Sequence, residues 1–243
     1  MLDVIVRDDA AGFLLITQPD HARLGEEIVS AMRTEPTVLG PDRQTILLAT
    51  REHDNGWAEV DSEPTIETET GRPCDFISGP AAVKHELWPR AVTRVARTNP
   101  RAGALIAQHA LTVYGYRRME ADWIAFFETM TSLRDALLER IGSTSDAARR
   151  AFEDQYRAVR LGDSLSLQFC NGWTDAQSTF EYRAGMDGTT LVISPDPFAG
   201  AIVPLRVIGR RIPARRYRDD HDLRVTLAST TPEVIVGAAR GGD

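Results

Sequence analysis

The sequence predicts an α+β protein: a mainly helical core, preceded by a short N-terminal hairpin and followed by a C-terminal antiparallel β-sheet. Three observations predict this class. Apolar residues recur at three- and four-residue spacing from about residue 19 to about residue 170. After Trp173 the pattern changes to short apolar runs cut by Gly, Pro and Asp. Near the start, two apolar runs flank Asp-Asp-Ala-Ala-Gly. The expected division puts hairpin and helical core in residues 1–175 and the sheet in residues 176–243.

Each element follows from local chemistry. Val4–Val6 and Phe13–Thr17 form the hairpin arms. Pro19 suits the first turn of a helix that runs to about Met32. A turn at Leu39-Gly40-Pro41 leads to Asp42, which suits the N-cap of a helix carrying Ile46 to Asp54, with Gly56 as its stop. Residues 57–78 are polar and rich in Pro, Gly, Thr and Glu, and read as a long irregular loop of the kind that covers sites. Helical patterns resume near Pro80 and reach about Tyr114, with breaks at Pro89 and Asn99-Pro100. Two more cover roughly 118–141 and 145–170, the second weakened near its end by Gly162. Strand-like runs follow at Phe180–Ala184, Thr190–Ser194, Ala201–Gly209, Leu223–Ala228 and Glu233–Val236.

Composition narrows the function classes. The 243 residues are 42% hydrophobic, enough for a sizeable core. A net charge of -7 argues against non-specific nucleic-acid binding, which needs a basic surface. No run approaches a membrane span, and no secretory signal is visible at the N-terminus, so the expectation is a soluble cytoplasmic protein. Cys74 and Cys170 form no CxxC pair and read as small buried apolar residues. There is no GxGxxG after a strand, no phosphate-binding P-loop and no GxSxG. Oligomeric state is left open.

The five histidines carry the chemistry. His21 shares a helical stripe with Leu24, Ile28 and Met32. His53 follows Ile46, Ala49 and Thr50 on another, and Asp54 comes next. His109 joins Ala102, Leu105, Ile106 and Val113 on a third, and Asp163 continues Phe152, Tyr156 and Val159 on a fourth. An inward imidazole or carboxylate is costly unless paired, several kcal/mol or so for an unpaired buried charge. A divalent cation offsets that cost for a converging set, because it accepts imidazole nitrogen and carboxylate oxygen together. Taken singly, each residue also suits a hydrogen-bonded core role, and Asp163 can pair with Arg51 or Arg160. His85, Trp88, Val92 and Val95 trace a further stripe interrupted by Pro89, which leaves His85 either a ligand or an exposed neighbour of Lys84 and Glu86. His221, in a charged segment between strands, reads as a surface residue.

The order His21, His53-Asp54, Asp163 resembles that of the HD-domain superfamily of metal-dependent phosphohydrolases, whose ligands follow His…His-Asp…Asp on successive helices. The segments ITQPDHARLGEEI, EHDNGW with VDSEP and GRPCDF, LIAQHALTVYG, GDSLSLQFC and SPDPF are more closely similar to an uncharacterised bacterial family, domain of unknown function 3891, related to that superfamily. The resemblance covers about residues 13–200 and implies an HD-like helical core. It implies metal ligands at His21, His53, Asp54 and Asp163, with His109 added in multi-histidine members and His85 in a six-ligand, two-metal pattern.

Three functions are consistent with this reading. The first is a metal-dependent hydrolase of a small phosphorylated compound, using one or two ions (Fe, Mn, Mg or Zn) to activate water. Asp54, His109 and Lys84 are its candidate catalytic residues, with Arg51 and Arg72 as further anion-binding candidates. Trp57, Phe76 and Trp88 are candidate pocket walls, and Gln108 a candidate ligand-orienting residue. The second is a two-iron oxygenase, which needs His85. The third is a non-catalytic metal-binding protein. No partner beyond the ion and a small-molecule substrate is implied.

Overall fold

The fold is described from a computed structural model over residues 4–33, 40, 42–61, 63–77 and 79–242. Leu39 and Pro41 of the expected turn lie outside the described residues. The strands are β1 (Ile5–Asp9), β2 (Gly12–Ile16), β3 (Gln177–Thr179), β4 (Tyr182–Asp187), β5 (Thr190–Ser194), β6 (Val203–Ile212) and β7 (Pro232–Gly241). The helices are α1 (Gln18–Ala31), α2 (Arg43–Glu52), α3 (Ala58–Asp61), α4 (Ala81–Ala96), α5 (Pro100–Val113), α6 (Ile124–Arg140), α7 (Asp146–Asn171) and α8 (Asp220–Ala228). No helix among the described residues is long and apolar enough to cross a membrane.

The expected fold class needs correction. A single mixed sheet has the order β1-β2-β6-β7-β5-β4-β3, so the N-terminal hairpin is not separate from the C-terminal strands. β2 pairs antiparallel with β6 through Phe13↔Ile212, Leu14↔Arg211 and Leu15↔Arg210. β5 and β7 run parallel, so the sheet is not purely antiparallel. Strand pairing joins residues some 200 positions apart, and nothing in the local pattern of the hairpin shows it. β2 does carry a trace: all five of its residues are buried. Leu14 and Ile16 enter the main core on the helical side, while Phe13 and Leu15 join Val4, Ile212, Tyr217 and Leu223 in a small second core.

That second core explains another correction. Leu223–Ala228 belongs to helix α8, not to a strand. Asp219 caps it by accepting from Asp222 N–H at 2.8 Å, and Asp220 and Asp222 favour its positive N-terminus. Leu223 and Leu227, one turn apart, face the same small core.

The helices largely keep their expected spans. Thr17 caps α1 and Asn99 caps α5 through side-chain oxygens that accept from Asp20 N–H (3.2 Å) and Ala102 N–H (2.9 Å). Asp42 precedes α2 but its carboxylate does not cap; it accepts from Gln155 on α7 at 2.5 Å. Helix α4 runs through Pro89 unbroken. The ring forfeits one helical hydrogen bond there, and burial of Leu87, Trp88, Ala91 and Val92 around it holds the helix together. Part of the expected 118–141 helix is instead a 3-10 turn over Ala121–Trp123, ahead of α6.

Close helix packing places the site. At Gly25 a Cβ would lie 2.9 Å from the Gly162 carbonyl oxygen, and at Gly162 it would lie 2.6 Å from Thr50 Cγ2. Glycine at both positions lets α1 and α2 close on α7. Gly162 therefore serves packing, and α7 continues past it to Asn171.

Candidate metal centre

Four helices and one turn aim polar groups at a single buried point. His21 lies in the first turn of α1, His53 just after α2, His109 on α5 and Asp163 on α7. Asp54 leaves the helical path (φ -110°, ψ 13°) and opens a 3-10 turn over Asn55–Trp57. Gly56 lets that turn approach α4, since a Cβ there would meet Ala91 Cβ at 3.1 Å. His21 and His53 are fully buried, and Asp163 is 2% exposed. Together His21, His53, Asp54 and Asp163 each offer a donor atom, all within 4.8 Å of one another.

Hydrogen bonds on the outer side of each ring set its tautomer. His53 Nδ1–H donates to the Thr50 carbonyl at 2.6 Å, so its Nε2 carries the lone pair. That Nε2 lies 3.4 Å from Asp54 Oδ2 and 3.4 Å from Asp163 Oδ1, and has no hydrogen-bond partner among the described residues. The Ser166 hydroxyl donates to the Gly162 carbonyl at 2.8 Å, so it accepts from His21 Nδ1–H at 3.0 Å. His21 Nε2 then turns its own lone pair toward Asp54 Oδ2 at 2.8 Å.

Two lone pairs and two carboxylates facing one buried point require positive charge between them. In the metal-free cluster a proton supplies it. Burial opposes a charge on His53, but Asp54 and Asp163 outweigh burial and lift that imidazole to about 10. Burial also raises both carboxylates, yet His53 and His21 hold Asp54, and His53, His109 and Arg160 hold Asp163, well below the usual carboxylate range. A metal ion satisfies the donors better than a proton, which reaches acceptors from His53 only at 3.4 Å on either side. In a shell with bonds of about 2.1 Å, neighbouring donors sit roughly 3.0–3.4 Å apart. The two 3.4 Å contacts of His53 match that spacing, the 2.8 Å contact of His21 with Asp54 is shorter, and mixed imidazole and carboxylate donors suit a divalent ion. The cluster can therefore hold a metal ion; its identity and number are open.

The other sequence candidates fall at graded distances. His109 borders the cluster, with Nε2 3.8 Å from Asp163 Oδ2 and its ring 4.7 Å from that of His53. Burial pushes His109 down to about 3 against the pull of Asp163. His85 lies outside the group: its ring stacks on Phe126 at 5.1 Å and meets Trp123 edge-on at 4.6 Å. Arg51 pairs with Glu26 and Glu52, and Arg72 with Asp8. Gln108 bonds Thr112 and Arg134 instead of a cluster residue. His221 is exposed on α8. Cys74 and Cys170 are buried and form no disulfide among the described residues.

The cluster opens on a cavity of about 440 Å³. Asp54, His109 and Asp163 line it, together with the cations Lys84 and Arg160 and the aromatic residues Trp57, Phe76, Trp88, Tyr114 and Trp173. Lys84, the only lysine in the chain, is 2% exposed and donates to the Ile77 carbonyl at 3.2 Å. Arg160 pairs with Asp163 Oδ2. A larger cavity of about 610 Å³, lined by Arg134, Glu139, Arg149 and Tyr156 among others, holds none of the four clustered ligands. Sequence reasoning missed Ser166 as a partner of His21 and Thr50 as a partner of His53. Helical spacing could have found both, since each sits three residues from a cluster residue on the same helix face.

No curated protein and no solved structure matches the chain. Its residues 4–214 match the family described as protein of unknown function (DUF3891), and the chain belongs to that family.

Proposed function

We propose that this protein is a metal-dependent hydrolase of a small phosphorylated compound. The observation that carries the reading is the coincidence of a buried His/Asp cluster with a cavity that also presents Lys84 and Arg160. The order of His21, His53-Asp54 and Asp163 along the chain, similar to that of the HD-domain phosphohydrolases, supports it.

His21, His53, Asp54 and Asp163 would hold the ion, and His109 borders them at Asp163. A bound divalent ion supplies Lewis acidity that lowers the pKa of a coordinated water and neutralises phosphoryl charge. Lys84 and Arg160 bind the phosphoryl oxygens and stabilise the charge that builds on them. Burial keeps His109 neutral, and from its place at the cavity it hydrogen-bonds and orients the attacking water. Trp57, Trp88 and Tyr114 restrict solvent around the reacting group.

The test combines elemental analysis with a phosphoester panel in manganese, magnesium, iron or zinc. Metal-dependent phosphate release that Asp54→Ala abolishes supports the reading. Release that survives Asp54→Ala, or none from any phosphoester with any of these ions, overturns it. The two-iron reading needs His85 at the ions, and that ring instead packs between Trp123 and Phe126.

A further inference from the structure

The cavity has two chemically different ends. One holds Asp163 with Arg160 and Asp54. Five residues further along α7, about 7.5 Å along the helix axis, Gln168 lines the same cavity. Gln168 is 1% exposed. Its amide nitrogen donates to the Trp173 carbonyl and, at 3.0 Å, to the Asp175 carbonyl. Two carbonyls on one side settle which end of the amide is nitrogen, because oxygen there would face two acceptors. The opposite atom, Oε1, is buried with no partner among the described residues. Ser164, one turn earlier on the same helix face, also lines the cavity, and its hydroxyl oxygen is likewise without a partner among them.

A buried acceptor held rigidly and left unpaired within its own protein is what a site shaped for a donor presents. We infer that Gln168 is a specificity residue: its Oε1 accepts a hydrogen bond from an O–H or N–H on the uncharged part of the ligand, beside the Ser164 hydroxyl. Resting on the hydrolase reading, which seats the phosphoryl group at the Asp163 end, this makes the substrate a phosphoester whose alcohol portion bears a hydroxyl or N–H group. That group lies about 7 Å from phosphorus, by the rise of the helix between the two positions. A purely apolar ester of the same length leaves Oε1 unpaired and is disfavoured.

The test uses an isosteric pair, 4-hydroxybutyl phosphate and pentyl phosphate, which differ by a hydroxyl in place of a methyl group. Binding to the manganese-loaded protein is measured by calorimetry, and phosphate release is followed separately. The wild type is expected to bind the hydroxyl compound about tenfold more tightly although it is the less apolar of the two. Gln168→Met is expected to erase that preference. Equal binding of the pair by the wild type overturns the inference even if both are hydrolysed, and the hydrolase reading then stands. A preference for the hydroxyl compound without phosphate release supports the inference and counts against hydrolysis. A preference that persists in folded Gln168→Met overturns the assignment to Gln168. If that variant does not fold, the wild-type comparison and Ser164→Ala decide: a preference weakened in Ser164→Ala supports the site, and equal wild-type binding of the pair overturns it.

Discussion

Gly25 and Gly162 face each other where α1 crosses α7, so close that a Cβ on Gly25 would sit 2.9 Å from the Gly162 carbonyl oxygen. His21 is one turn before Gly25, and Asp163 directly follows Gly162. The same crossing therefore sets the packing of two helices and the separation of two cluster residues. Gly25→Ala has to push backbone away, which no side-chain rotation can absorb. We expect a net loss of about 1–3 kcal/mol in stability, with the helix-propensity gain of alanine already outweighed. Denaturant unfolding in chelator isolates the packing effect, and calorimetry should show weaker metal binding. Unchanged metal affinity would separate this crossing from the site.

Ser166 is expected to matter through His21 alone. Ser166→Ala removes the acceptor of His21 Nδ1–H and with it the fixed tautomer. Metal affinity should fall about 10- to 100-fold, as when the outer partner of a ligand histidine is removed. A variant that binds metal like the wild type would show that His21 is not held as a ligand.

Metal loading should stabilise the chain. At an ion concentration about one hundred times the dissociation constant, the folded state gains about 2.7 kcal/mol. For a chain of this length that is a rise of roughly 5–10 °C in Tm. Asp163→Asn should abolish the rise, because it removes a carboxylate charge shared by His53 and Arg160. A wild-type Tm unmoved by manganese, zinc, iron and magnesium would end the metal reading.

The metal-free protein should show two-sided pH dependence. His53 is raised in the fold from 6.5 to about 10, so folding takes up a proton in that range. Its contribution is full below 6.5 and is lost as the pH rises through about 10. Asp54 and Asp163 are lowered from 3.8, so their contribution is present above 3.8 and is lost as the pH falls through their lower folded values. Urea unfolding in chelator across the pH range should therefore show highest stability between these limits. Replacing His53 with Gln should flatten the alkaline limb; an unaltered limb would place the proton elsewhere.

His85 offers a check on ion number and kind. His85→Phe keeps an aromatic ring against Trp123 and Phe126. Metal content per chain should be unchanged in this variant. A lower content would bring His85 back as a ligand.

Legibility of the fold varied by element. α5 and α7 were readable because Asn99, Pro100 and their apolar stripes are local signals within one helix. Pro89 misled because the expected break neglects the burial of Trp88 and Val92 that holds α4 across it. Leu223–Ala228 misled because a six-residue apolar–polar run suits either period, and the aspartates that cap it lie just outside the run. The outer hydrogen bond of His21 was hidden because its acceptor, Ser166, lies on another helix far along the chain, whereas that of His53 goes to Thr50 within its own helix turn.

By itself the sequence determined which polar side chains lie on inward helix faces. That property follows from a repeat of 3.6 residues and needs no knowledge of the neighbours. Tertiary structure alone decided that four of them meet within 4.8 Å, that His85 does not join them, and that the first and last strands share one sheet. Convergence and strand pairing depend on contacts between segments far apart along the chain, where small residues such as Gly25 and Gly162 set the distance of approach.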